Sequence, residues 1–255
     1  MSSTVLITGA AGGVGRAAGA RLRTQGHTVI GLDRNPSPEA DHAVDGDLLE
    51  RACVQRVFDD YAIDTVIHLA AYPDEADFLE HLVAPNVTGL YHVCDAARAA
   101  GVGRLILASS IQVVTGHKWD HVVSVEDGPR VANHYALTKL WAEQLGEMYA
   151  RCYGQQVIAA RLGWLPRSPA HHDELQASPV GTDVFLSHDD AGRFFTACVE
   201  AELTAGQFEI LFATSKAVND MRVDLEPARR VVGFVPVDTW PDGIRFNEDG
   251  YVAPA

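Results

Sequence analysis

Short, continuous apolar runs alternate along the chain with longer segments whose apolar residues recur every three to four positions. Thr4–Thr8, His27–Leu32, Thr65–Ala70, Arg104–Ser109 and Gln156–Arg161 read as strands. Arg16–Gln25, Leu48–Tyr61, most of Glu75–Ala100, and Tyr135–Tyr153 read as the intervening helices, the first closed by Gly26. Runs such as VIHLA and LILAS lack the in-out alternation of a half-exposed sheet, so they belong to parallel strands covered on both faces. Alternating strand and helix imply right-handed crossovers between parallel neighbours. The fold class expected is therefore α/β: a Rossmann-type, doubly wound parallel sheet with helices on both faces.

Past residue 162 the rhythm weakens. Leu165–Val180, rich in Pro, His and Ser, reads as a long loop. Helix is expected over Asp189–Glu202, strand over Gln207–Phe212 and a short helix over Leu225–Val232. This divides the chain into a dinucleotide-binding domain, 1–162, and a small substrate lobe and C-terminal arm, 163–255, whose elements partly rejoin the main domain. The stretch from Pro236 to Ala255 reads as a wrapped arm or as partly disordered.

Charge narrows the range of partners. With 20 basic and 34 acidic residues the formal net charge is −14, which opposes binding to nucleic acid. No apolar run is long enough to span a membrane and no secretory signal is visible at the start, so a cytoplasmic protein is expected. The widely spaced Cys53, Cys94, Cys152 and Cys198 read as buried thiols in a reducing compartment. Two histidine groups, His117 with His121 and His171 with His172, lack the spacing of a known metal motif, and no metal is expected.

Candidate chemistry begins at the first strand-to-helix junction, Thr8-Gly9-Ala10-Ala11-Gly12-Gly13-Val14-Gly15. In this GxxGxxG spacing Gly9 allows a tight turn, Gly12 and Gly13 let backbone amides approach a pyrophosphate, and Gly15 lets helix and strand pack closely. The motif alone also fits a plain helix-packing turn; its position makes a dinucleotide site the stronger reading. Asp33, at the end of the second strand, is placed to hold adenosine ribose hydroxyls and favours NAD. Arg34 can instead pair with a 2′-phosphate, which keeps NADP open. Asp47 and Leu48 fall where they meet the adenine, or where Asp47 caps a helix.

Tyr135 and Lys139 lie four residues apart on one face of a predicted helix, and the chain has only three lysines. Ser110 closes LILASS, at the strand end where ligands of such sheets bind. An ammonium beside a phenol favours the phenolate, so Tyr135 can exchange a proton near neutral pH while Ser110 positions the substrate oxygen. An amphipathic helix with Tyr and Lys on its surface is the structural alternative.

TGAAGGVG at 8–15, HLAA at 68–71, NVTGLYHVCDAAR at 86–98, LILASS at 105–110 and YALTK at 135–139 together resemble the extended short-chain dehydrogenase/reductase group, the NAD-dependent epimerase/dehydratase family. The resemblance implies a bound nicotinamide cofactor, with Ser110, Tyr135 and Lys139 as the catalytic set. It also implies that Leu69, Ala70 and Ala71 line the cofactor, that Lys139 holds the nicotinamide ribose, and that Asn86 stabilises the active-site backbone. FLSHDDAGRFF at 185–195 and VVGFVPVD at 231–238 look most like uronate dehydrogenases, which oxidise a sugar acid at its anomeric carbon.

Gln112 stands where that group has a substrate-contacting histidine, and Trp164, after Gly163, where it has a polar residue. A neutral aldose is therefore kept beside the uronates, with Tyr72, Gln112, Gly163 and Trp164 as substrate contacts and Tyr72, Trp119 and Trp164 as ring-stacking candidates. Arg167 is the nearest candidate for a carboxylate clamp, or a surface arginine. The alternatives for function are an epimerase or dehydratase that retains its NAD, and a dinucleotide-binding sensor without turnover. By the same resemblance the helices around 75–100 and 135–153 are expected to form a homodimer interface.

Overall fold

A computed structural model describes residues 2–247 and 250–252. Seven parallel strands form one sheet in the order β3-β2-β1-β4-β5-β6-β7. They are β1 Thr4–Thr8, β2 Thr28–Asp33, β3 His42–Asp45, β4 Thr65–His68, β5 Arg104–Ser110, β6 Gln156–Leu162 and β7 Phe208–Ala213. The sequence runs off in opposite directions from β1 and β4. Loops leaving their carboxyl ends therefore diverge and open a crevice, the place where such sheets bind ligands.

The helices are α1 Gly13–Thr24, α2 Arg51–Asp60, α3 Leu90–Ala99, α4 His134–Tyr153, α5 Pro169–Ala177, α6 His188–Glu200 and α7 Glu226–Val232. Each sheet face is covered by its own core. On one side Leu6, Val66 and Leu105 meet Val54, Val93 and Leu145 of α2, α3 and α4. On the other Ile7, Ile67 and Ile158 meet Leu22 of α1 and Phe194, Phe195 and Cys198 of α6. Adjacent residues of one strand thus feed opposite cores, which explains why these strands are apolar without alternation.

The segment leading into α3 is helical from Phe78, but with wider, i-to-i+5 turns over Phe78–Leu82 and Ala84–Gly89. Asp77 caps it by accepting from Leu79 N and Glu80 N. α4 starts at Asn133, whose Oδ1 accepts from Ala136 N at 2.7 Å, and stops at Gly154 with φ +73.

The expected loop over Leu165–Val180 contains α5. Ser168 caps it through His171 N, at 3.3 Å, and Pro169 occupies its first turn, where a missing N–H costs nothing. Leu175 is the one buried residue of this helix, so the periodic stripe that reveals longer helices is absent. Beyond residue 162 the chain does two things. β7 extends the sheet and α6 packs on α1, while α5 and the segments near 119–125 and 215–225 rise over the carboxyl edge. A third core of Ile111, Val114, Val123, Val184, Phe212 and Val223 lies beneath that rise, with Trp119 and Trp164 against it.

The described part of the arm wraps. Asp190 Oδ1 and Oδ2 accept from Val237 N and Asp238 N at 2.9 and 3.0 Å, and Arg193 donates to Asp238 at 2.5 Å. Arg245 pairs with Asp189 through two bonds of 2.8 and 2.7 Å. Residues 248, 249 and 253–255 of the expected arm lie outside the described residues. Cys53, Cys94 and Cys198 are buried, but Cys152 is exposed in the last turn of α4, beside Arg151, which corrects the expectation of four buried thiols. No helix among the described residues is long and apolar enough to cross a membrane.

Candidate active site

The turn after β1 is set by backbone contact. Gly9 has φ +73, and a Cβ there would meet Ala70 N at 2.6 Å; one on Gly15 would meet Gly9 O at 2.3 Å. The first glycine thus lets the turn press against the loop after β4, and the last lets α1 close onto the turn. Gly12 accepts from Arg16 N to start the helix, leaving the early amides of α1 open toward the crevice.

Gly9, Gly12, Gly13, Val14, Gly15, Leu69 and Ala71 line a cavity of about 480 Å³, and so do Ser110, Gln112, Tyr135, Lys139, Gly163 and Trp164. The glycine turn and the three catalytic candidates, separated by about a hundred residues of chain, therefore share one chamber.

Ser110 Oγ accepts from Gln112 N at 3.1 Å, and Ser110 is close enough to the Tyr135 hydroxyl to favour its ionised form slightly. Lys139 is buried; its Nζ donates to Ala108 O at 3.0 Å and lies 5.6 Å from the Tyr135 ring centroid. Burial brings the Lys139 ammonium down to about 8. The Tyr135 phenol is pushed above its usual value, first by burial and then by the charge of Asp74, against smaller opposing effects of Arg167 and Ser110. The direction is opposite to the one expected from an ammonium beside the phenol, because burial disfavours the phenolate and the Lys139 Nζ donates to the Ala108 carbonyl.

Asn86 is buried, accepts from Tyr72 N at 2.7 Å, and donates to Tyr72 O and Thr138 Oγ1, both at 3.1 Å. It ties the loop after β4 to α4 one residue before Lys139. Glu75 grips the same helix from outside, accepting from Tyr135 N and His134 Nδ1, each at 2.9 Å. The Tyr135 contact, first, holds the Glu75 carboxyl below its ordinary range. A buried Thr8 Oγ1–His68 Nδ1 bond of 2.8 Å closes the floor, where burial drives His68 down to about 3 and keeps it neutral.

Beneath Ser110 lies a buried ion pair. Glu143, one turn beyond Lys139, takes Arg161 Nε and Nη2 at 2.8 and 2.9 Å and Ser109 Oγ at 2.6 Å. Glu143 follows Lys139 by four residues, a spacing that alone places it on the same helix face. Its partner on β6 carries no such local signal.

Asp33 ends β2 with Oδ2 accepting from Ala11 N at 3.1 Å and Oδ1 accepting from Asn35 N at 2.9 Å, so it borders the glycine turn. Arg34 is exposed beside it. Asp47 does not cap a helix: Oδ1 accepts from Leu49 N at 2.9 Å, while Glu50 occupies the cap of α2. Leu48 is buried, its carbonyl held by His92 Nδ1 at 2.8 Å, and Ala70 packs against the first core. Tyr72 is not brought to the cavity; its ring, 41% exposed, stacks on His81 at 5.1 Å. Trp119 and Trp164 both line the chamber and pack on the third core.

Four lining residues of the outer chamber deserve naming: Asp74, Arg167, His171 and Glu174. Arg167 pairs with Asp74, and its Nη2 lies 3.5 Å from His171 Nε2. Asp74 and Glu174 carried no motif. Asp74 is reached only through the loop after β4, and Glu174 only once α5 is recognised. Among the described residues no group of three or more His, Cys, Asp or Glu side chains is arranged to hold a metal ion.

Comparison with known proteins decides the family. The model of the NAD dependent epimerase/dehydratase family matches residues 5–165. The chain belongs to that family. It is 30% identical over 163 residues to a uronate dehydrogenase of Pseudomonas putida, covering 62% of this chain and 60% of that one. It is 28% identical over 254 residues to an L-arabinose 1-dehydrogenase (NAD(P)(+)) of Haloferax volcanii, covering 92% and 96%. The alignment thus spans under two thirds of the Pseudomonas relative and nearly all of the Haloferax one. A crystal structure of uronate dehydrogenase from Agrobacterium tumefaciens superposes with a TM-score of 0.78 at 25% identity, over 93% of this chain and 85% of that one.

Proposed function

We propose that this chain is an NAD-dependent dehydrogenase that oxidises a small carbohydrate at its anomeric carbon. The observation that carries the reading is the single chamber joining the glycine turn to Ser110, Tyr135 and Lys139. Family relatives named as sugar dehydrogenases support it.

The turn fits a pyrophosphate, since Gly12 and Gly13 add no side chain in front of the α1 amides. The Asp33 carboxylate beside it suits ribose hydroxyls and opposes a 2′-phosphate, while Arg34 leaves some use of NADP. Lys139, Ala71 and Leu69 would face the nicotinamide half. Bound there, NAD supplies the hydride acceptor.

The protein's own part is proton handling and aim. Ser110 Oγ orients the anomeric hydroxyl, and Tyr135 Oη receives its proton as the C–H bond is broken. The Lys139 ammonium, 5.6 Å from the Tyr135 ring centroid, is a charge placed to favour the phenolate against the burial that raises the phenol. Trp164 and Gly163 shape the wall against which the sugar lies. A chamber of about 480 Å³ suits a monosaccharide beside the nicotinamide.

Leu79, Tyr91, Leu137 and Trp141 are exposed apolar residues of the segments around α3 and α4, and this face supports a homodimer. Four free thiols agree with a reducing, cytoplasmic setting.

The test is absorbance at about 340 nm for wild type and Tyr135→Phe with NAD or NADP and a panel of sugars. Reduction by wild type that falls about 10²- to 10⁴-fold in the variant is expected. Bound NAD with no net reduction by any sugar would replace this reading with a hydride-recycling isomerase.

A further inference from the structure

The outer chamber contains an ion pair that gives the fold little and the substrate much. Asp74 lies in the loop after β4 with φ +62, the left-handed region that side-chain-bearing residues seldom adopt. Its carboxylate meets Arg167 through Oδ2 and Gln112 Nε2 at 3.4 Å through Oδ1. The side chains of Arg167 and Asp74 are 39% and 49% exposed, so solvent screens the pair and its contribution to stability is small. A backbone held in an uncommon conformation to make a weak pair at the mouth of a catalytic chamber points to function.

Among the described residues, Arg167 and Lys139 are the only arginine or lysine residues lining the chamber, and Lys139 is turned inward to Ala108 O. A sugar carboxylate would therefore depend on Arg167. That guanidinium is already engaged by Asp74, and Glu174 adds a second negative charge to the same wall. A carboxylate entering here must displace Asp74 from its partner and sit beside it, two like charges on one cation. An uncharged sugar meets no such conflict. Its hydroxyls can donate to Asp74, exchange both ways with the Gln112 amide and accept from Arg167 without breaking the pair. Gln112 is itself fixed, its Oε1 accepting from Asn133 Nδ2 at 2.7 Å at the start of α4.

We propose that Asp74, by occupying Arg167, is the specificity-determining residue that makes this chamber select an uncharged aldose over the corresponding sugar acid. The proposal rests on the sugar-dehydrogenase reading and narrows its substrate class. Asp74 also faces the tyrosine: its charge raises the Tyr135 phenol and that of Arg167 lowers it. Asparagine at position 74 tolerates the left-handed backbone and preserves the volume, so Asp74→Asn isolates the charge.

The experiment compares the matched pairs D-galactose with D-galacturonate and D-glucose with D-glucuronate, in kcat/KM for NAD reduction and in Kd by calorimetry with the cofactor present. Wild type should favour the aldose about tenfold or more, since one charge-assisted bond is at stake. Asp74→Asn should move the acid-to-aldose ratio at least tenfold toward the acid, and Asp74→Asn with Arg167→Met should reverse that gain. The rising limb of the kcat/KM pH profile should shift to lower pH in Asp74→Asn, an effect a purely structural role would not produce.

A wild type that prefers the acid, or a ratio unchanged by Asp74→Asn, overturns the proposal. Calorimetric ratios as expected without NAD reduction would uphold the selectivity while removing the dehydrogenase reading. No binding of either sugar of a pair by wild type or variant would overturn both.

Discussion

Glu143→Gln tests how the catalytic strand and helix are joined. Glu143 and Arg161 are each 1% exposed, and Glu143 accepts three hydrogen bonds, two from Arg161 and one from Ser109. Arg161 Nη1 has no hydrogen-bond partner among the described residues, so the guanidinium depends on this one carboxylate and on the Phe212 ring, 5.3 Å from its centre. Removing the negative charge leaves a buried cation uncompensated, a loss of about 3–5 kcal/mol. In a chain of this length each kcal/mol moves Tm by about 2–4 °C, so the midpoint should fall by roughly 10 °C.

The assay is urea and thermal unfolding followed by far-ultraviolet circular dichroism. Glu143→Leu with Arg161→Met, which removes both charges and restores apolar volume, should recover most of the loss. A single-variant penalty below about 1 kcal/mol, or a double variant no better than the single one, would refute the assignment of this pair as a buried, mutually dependent unit.

Asp33→Asn should raise kcat/KM with NADP relative to NAD by about tenfold, read at about 340 nm, because the repulsion of a 2′-phosphate is gone. Lys139→Met should stabilise the fold at pH 7 while abolishing turnover. The folded pKa of about 8 lies below the ordinary 10.5, so the charged lysine costs on the order of 3 kcal/mol below pH 8, and this penalty disappears as pH rises from 8 to 10.5. Thermal melts of wild type and variant should therefore converge toward pH 10.5. His68 and His188 have folded pKa values of about 3 and about 4, both lowered by burial from 6.5. The unfolded chain binds more protons than the folded one below 6.5, so stability present above that pH is lost on acidification. Denaturation between pH 6.5 and 4 should steepen accordingly, and His68→Gln should flatten it.

Six of the seven strands of the main sheet are legible in the sequence, the central ones because burial on both faces writes itself as an uninterrupted apolar run. β3, four residues long and mostly exposed, carries no such run. Ser110, Tyr135 and Lys139 were legible through spacing and strand end, and the structure brings all three to one chamber. α5 was hidden because its face toward the core is a single leucine, although Ser168-Pro169 carried a helix-start signal. Asp74 and Glu75 act on residues 93 and 60 positions away, and no local pattern encodes such a meeting. The direction of the Tyr135 shift was also out of reach, since it depends on how deeply the phenol is buried and where the Lys139 ammonium points.

β6 and β7 are neighbours in the sheet but are separated by the whole of α5 and α6, Val157 pairing with Phe208. Until residue 208 has left the ribosome, the Gln156–Leu162 strand presents a bare row of peptide groups to its surroundings. The segment that roofs the chamber is thus synthesised inside a gap that the last strand must close. A nascent chain paused there would be open to pairing with another copy or to capture by a chaperone. Cutting away residues 163–255 to leave a minimal nucleotide-binding unit would make that transient edge permanent and strip α6 from the Leu22 face of α1.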